Sequence, residues 1–104
     1  MSLRVALVDH PDQHADLRRL AAELPRDWVV LDGLNPEQVL EDAALGGIDA
    51  VFTSADPGAM DGATLLQRLQ RACPEALRVL VLPSGFDARR SERLAAEPAV
   101  QQVV

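Results

Sequence analysis

The feature that most constrains the fold is a regular alternation of short apolar runs with longer segments of helical period. The apolar runs occupy residues 4–8, 28–31, 48–53, 77–82 and 99–104. Four stretches of 16 to 23 residues separate them, and each contains a predicted helix of 10 to 15 residues. In these helices apolar side chains recur at intervals of three and four. The order βαβαβαβαβ predicts an α/β domain with a doubly wound, five-stranded parallel sheet and right-handed crossovers.

The helical segments have recognisable beginnings and ends. Pro11 can open the first, Asn35 is placed to cap the second with Gln38 as its capping-box partner, and Asp87 can cap the fourth. The third is predicted over Gly62–Cys73. The predicted inner faces are Leu17, Leu20, Ala21 and Leu24; Val39, Leu40, Ala43 and Ala44; and Leu65, Leu66 and Leu69.

Composition excludes several classes of function. The net charge is −6 and only three residues are aromatic, which argues against binding nucleic acid or an anionic membrane surface. No apolar run approaches the length of a membrane span, and the N-terminus lacks the apolar run of a secretion signal. Cys73 is the only cysteine, so an intrachain disulfide is excluded, and a cytoplasmic location is expected.

The residues at the carboxyl ends of the predicted strands are the candidate site. In sheets of this kind ligands bind there, where the strand order reverses. The rule selects Asp9 and His10, the segment 53–57, and the pair Pro83 and Ser84.

Three stretches around these positions resemble a known family. They are "RVALVDHPD", "IDAVFTSADPGAMDGATLLQRLQ" and "LRVLVLPSG". They are similar to the receiver domains of bacterial response regulators, which have the CheY-like, flavodoxin-like fold. The resemblance implies phosphotransfer to an aspartate after the third strand, with Mg²⁺ held by an acidic pair after the first. It also implies a hydroxyl after the fourth strand and a lysine after the fifth.

The chain departs from that pattern at most of these positions. Asp9 matches the first acid, but His10 stands at the second, and Ser54 stands at the phosphoacceptor. An alignment with one inserted residue places Thr53 there instead, and neither choice supplies a carboxylate.

The remaining positions depart as well. Pro83 falls on the hydroxyl position, with Ser84 one place beyond. All ten basic residues are arginine, so no lysine is present. The sequence therefore predicts a degenerate receiver that binds no cofactor or metal and has no catalytic residue.

Several alternatives remain open at this point. Ser54 could be a phosphorylated serine or a nucleophile with His10 as its base, against the simpler interpretation of a small residue filling space. Asp9, His10 and Asp56 could bind a transition metal. The whole chain could also be a small cofactor-binding flavodoxin-like protein or enzyme, although no G-x-G-x-x-G loop follows the first strand. The segment "ARRSER", Ala88 to Arg93, is a solvated helix face or a partner surface.

Receiver domains usually end in a fifth helix, for which this sequence has no residues. We therefore expect apolar side chains of the first strand to lie partly bare on one face of the sheet, where two chains could pair. We also expect residues 1–104 to be the N-terminal part of a longer protein. The expected partners are its own output domain or another signalling protein. "GATLLQRLQRACPEALRVLVLPSG" and "EPAVQQVV" resemble receivers fused to HD-type output domains.

Overall fold

A computed structural model describes residues 3–9, 15–31, 35–55, 60–82 and 86–104. These residues form five strands and four helices in strict alternation. In chain order they are β1 (Arg4–Val8), α1 (Ala15–Glu23), β2 (Val29–Leu31), α2 (Pro36–Ala44), β3 (Ala50–Ser54), α3 (Gly62–Ala72), β4 (Leu77–Val81), α4 (Ala88–Ala95) and β5 (Gln102–Val103).

The five strands make one parallel sheet in the order β2-β1-β3-β4-β5. The chain runs outward from β1 to β2 and then returns to the other side at β3. The strand order therefore reverses between β1 and β3, which is where ligand sites form in such sheets. The predicted doubly wound, flavodoxin-like fold is confirmed.

The larger part of the core lies between the sheet and the helices α2, α3 and α4. Val39 and Ala43 from α2 meet the three predicted leucines of α3 on this face, and Leu94 of α4 packs at its margin. The leucines Leu65, Leu66 and Leu69 are all completely buried. Ala44 is exposed, so its assignment to the inner face of α2 was wrong.

The other face of the sheet is covered by α1. Leu17 is buried against Val5, Leu7 and Phe52, with Leu20, Ala21, Leu24 and Trp28 packed around them. The expectation that the first strand would lie partly bare was wrong, because Val5 and Leu7 are 0% and 1% exposed beneath α1. Among the described residues, the large apolar side chains left exposed on this face are those of Leu3, Val30, Leu77 and Val104, at 38%, 37%, 39% and 51% exposure.

Strand β5 is shorter than the predicted run over 99–104. Residues 97–101 turn before the strand, and the amide of Val100 donates to the carbonyl of Glu97. The carbonyl of Ala99 accepts from the guanidinium of Arg78 at 2.8 Å, so a side chain takes the place of a strand partner.

The beginnings of α2 and α4 follow the predicted chemistry, whereas Pro11, predicted to open the first helix, lies outside the described residues. Asn35 and Gln38 form a complete capping box at α2, with reciprocal bonds of 2.9 and 3.0 Å. Asp87 caps α4 by accepting from the amides of Arg89 and Arg90. Gly46, just beyond α2, has a φ of 76°, a conformation that a residue with a side chain adopts at a cost.

Candidate functional site

The candidate site lies at the carboxyl ends of β1 and β3. Val8 of β1 pairs with Thr53 of β3, so the next residues on the two strands are Asp9 and Ser54. Ser54 also pairs with Val81 on the other side, at the end of β4. The sheet thus places Asp9 and Ser54 at neighbouring strand ends, at the point where the strand order reverses.

The register separates the two candidates for the central position. Thr53 pairs with Val8, is completely buried, and donates its hydroxyl to the carbonyl oxygen of Ser54 at 3.0 Å. Thr53 is therefore a core residue with its hydrogen bond made. Ser54, one step further along β3, is the residue that ends level with Asp9.

The hydroxyl of Ser54 is buried and unsatisfied. Its Oγ has no hydrogen-bond partner among the residues that the structure describes, although the residue as a whole is only partly buried. A hydroxyl removed from water without a partner costs free energy.

Asp9 is partly buried at the end of β1. The other predicted site residues, His10, Pro83 and Ser84, lie outside the described residues, as does Asp56. Within the described ranges, no group of three or more His, Cys, Asp or Glu residues is placed to hold a metal ion.

The start of α3 closes directly onto the end of β3. The amide of Gly62 donates to the carbonyl of Ala55 at 2.8 Å. A Cβ built on Gly62 would overlap the carbonyl oxygen of Ser54 and press on the side chain of Leu80. Asp61 caps the helix by accepting from the amide of Thr64 at 2.7 Å. Asp61 and Gly62 thus form the entry to α3, and Gly62 is required because the backbone of Ser54 lies against it.

Sequence reasoning missed two residues. The close approach of backbone to Gly62 was not predicted. A glycine in the first turn of a helix could have indicated it, because glycine weakens a helix and is favoured there only where a side chain does not fit. Arg78 was assigned to an apolar strand, yet it is 5% exposed while its neighbour Leu77 is 39% exposed.

The guanidinium of Arg78 donates its hydrogen bonds to backbone carbonyls and not to a carboxylate. Its Nε donates to Ala99, and its Nη1 donates to Pro74 at 3.0 Å and to Ala76 at 3.2 Å. Its own amide donates to Oε1 of Gln101 at 2.8 Å. Arg78 therefore ties the start of β4 to the turns on both sides of it, far from the strand ends that form the candidate site.

Comparison with known proteins gives no match to a family model or to a curated protein. Solved structures do match. The signal receiver domain of an HD domain-containing protein from Pseudomonas fluorescens is 26% identical, with a TM-score of 0.76 over 100% of this chain and 82% of that one. A CheY-like response regulator receiver domain protein from Methanospirillum hungatei is 13% identical, with a TM-score of 0.76 over 100% of this chain and 81% of that one.

A two-component response regulator of the LuxR family from Aurantimonas has 16% identity and a TM-score of 0.74, over 99% of this chain and 73% of that one. The resemblance to receiver domains is therefore confirmed at the level of the fold. In the part of the chain that the structure describes, no helix is both long and apolar enough to span a bilayer.

Proposed function

We propose that this chain, whose fold is that of the CheY-like receiver domains, is a signalling module of a bacterial two-component system that accepts no phosphoryl group at the end of β3. It acts through protein–protein contacts and is not an enzyme. The observation that supports this most directly is the position of Asp9 and Ser54 at neighbouring strand ends, each one residue beyond the pair of Val8 and Thr53. Ser54, at the end of β3, has a buried hydroxyl where the resemblance implies a carboxylate.

Phosphotransfer of the usual kind needs a carboxylate for two reasons. The phosphoryl group is held as an acyl phosphate, which a serine cannot form, and Mg²⁺ prefers hard, charged oxygen ligands. At the positions matched by the resemblance, the carboxylates fall from three to one, because His10 and Ser54 replace two of them.

The proposed partners are an output domain of the same protein or a separate signalling protein. Support comes from the first of the structural neighbours, which is the receiver domain of an HD domain-containing protein. A cytoplasmic location without binding to nucleic acid or membrane is part of the proposal, and the net charge of −6 supports it.

The experiment is incubation of the chain with a small-molecule phosphodonor and Mg²⁺, followed by intact mass spectrometry. We expect no species heavier by one phosphoryl group. A variant that combines His10→Asp with Ser54→Asp restores two carboxylates and is the matched comparison, with an unrelated active receiver as the control for the donor. A stable phosphorylated species of the unmodified chain would contradict the proposal, and peptide mapping would then identify the acceptor.

A further inference from the structure

Helix α4 carries two exposed arginines, Arg89 and Arg93, with the exposed Glu92 between them in the sequence. Arg89 and Arg93 are exposed and lie four residues apart, so they are neighbours on one side of the helix. Neither side chain forms an ion pair or hydrogen bond with a described residue. Like charges at this spacing oppose helix formation.

The same helix has little to hold it against the domain. None of its eight residues is buried, and only the partly buried Leu94 packs against the core. Much of the surface of α4 is therefore exposed to solvent. A helix of this kind, polar nearly all round, gains stability if its charged side meets an opposite charge.

Helix α2 has the complementary pattern. Glu37 and Glu41 are exposed, lie four residues apart, and form no ion pair with a described residue. The helix contains no basic residue. Just beyond its end, Leu45 is 86% exposed, more than the other large apolar residues of the described chain.

The two patterns agree in spacing along the helix axis. Four residues correspond to a rise of about 6 Å, so the two arginines and the two glutamates are equally far apart. Ala96 follows Arg89 by seven residues, and Ala44 follows Glu37 by seven, and both alanines are exposed. Each helix therefore presents two like charges four residues apart, followed by a small apolar side chain, beside which Leu45 of α2 lies. Helix α4 also presents Glu92 between its two arginines.

The topology places these helices where two copies could join them. Both pack on the same face of the sheet as α3. Helix α2 leads into β3, α3 connects β3 to β4, and α4 follows β4, so α3 lies between the other two. Both run opposite to the parallel strands and hence in the same direction as each other. A second copy displaced sideways along the sheet brings its α2 alongside the first copy's α4, parallel and in matching order.

We propose that α4 of one copy docks on α2 of a second copy, with Arg89 facing Glu37 and Arg93 facing Glu41. Leu45 of the second copy then packs against Ala96. The contact is heterologous, so each copy keeps one free α2 and one free α4, and chains of copies form. The surface is small and its ion pairs are exposed, so the association is weak and sensitive to salt.

The test is sedimentation velocity of the full chain over a wide range of concentrations. We expect the average mass to rise with concentration at about 0.05 M salt, and the apparent dissociation constant to increase about tenfold or more at about 0.5 M salt. The double variant Arg89→Glu, Arg93→Glu is expected to remain monomeric. Circular dichroism establishes that it is folded, and Arg89→Gln, Arg93→Gln is the milder alternative if it is not.

Two further variants make the result specific. Arg68→Glu with Arg71→Glu changes the net charge by the same amount on exposed positions of α3, and it is expected to associate like the unmodified chain. Adding Glu37→Arg and Glu41→Arg to the α4 reversal exchanges the two charge patterns and is expected to restore association. A monomeric unmodified chain, association that survives the α4 reversal, or failure of the exchanged variant to associate would each overturn the proposal.

Discussion

At the scale of single residues, two adjacent hydroxyls at the end of β3 have opposite roles. Thr53 is buried with its hydrogen bond made, and Ser54 has a buried hydroxyl without one. We expect Ser54→Ala to leave the free energy of unfolding unchanged or to raise it by up to about 1 kcal/mol, because the buried hydroxyl no longer needs a partner. Thr53→Val keeps the shape but loses the bond, and we expect it to destabilise by about 1 kcal/mol. Urea denaturation of both variants measures the contrast, and a larger loss for Ser54→Ala than for Thr53→Val would contradict it.

Gly62 is the second residue whose role depends on its immediate surroundings. Alanine normally favours a helix over glycine by about 1 kcal/mol, but at this position its Cβ would overlap the carbonyl oxygen of Ser54. We expect Gly62→Ala to destabilise by about 1–3 kcal/mol, the range for overpacking, measured by thermal or urea unfolding. Gly46→Ala is the matched control, because its Cβ would meet open space and only the positive φ opposes it. A stabilising Gly62→Ala would show that the backbone contact is absent.

At the scale of elements, Arg78 is what connects β4 to the turns that flank it. Its guanidinium satisfies the carbonyls of Pro74, Ala76 and Ala99, so its removal leaves buried acceptors without partners. We expect Arg78→Met to destabilise by about 2–4 kcal/mol. We also expect faster hydrogen exchange at the amides of Gln101 and Val104, which donate to β4. The exposed Arg68→Met is the control, with an expected change within about 0.5 kcal/mol. Equal effects of the two substitutions would contradict the assigned role.

At the scale of the whole molecule, the two faces of the sheet are covered unequally. Three helices pack on one face, and among the described helices α1 alone packs on the other. Leu17 is the buried centre of that single helix, so we expect Leu17→Ala to destabilise by about 2–5 kcal/mol. Leu45→Ala, at a position 86% exposed, is expected to change stability by less than about 0.5 kcal/mol. Guanidinium denaturation of both variants gives the comparison, and a small loss for Leu17→Ala would mean that α1 does not anchor this face.

The alternation of strands and helices could be predicted from the sequence because it depends on periodicity. The apolar runs, the buried leucines of α3 and the capping box at Asn35 are all patterns among residues close together along the chain. The positions of Arg78 and Gly62 could not be predicted, because each depends on a backbone carbonyl supplied by a distant segment. For the site, the loss of carboxylates follows from the sequence, but the choice of Ser54 over Thr53 needed the register of β1 against β3.

The contact between Gly62 and Ser54 also bears on how such a domain tolerates change. What α3 rests on is the carbonyl oxygen of residue 54, which every amino acid possesses, and the side chain of that residue takes no part in the contact. The contact that joins the end of β3 to the start of α3 is therefore the same whether residue 54 is a serine or an aspartate. Mutation can remove the reactive group in one step while the architecture is inherited unaltered, and a substitution in the reverse direction meets no barrier from this contact.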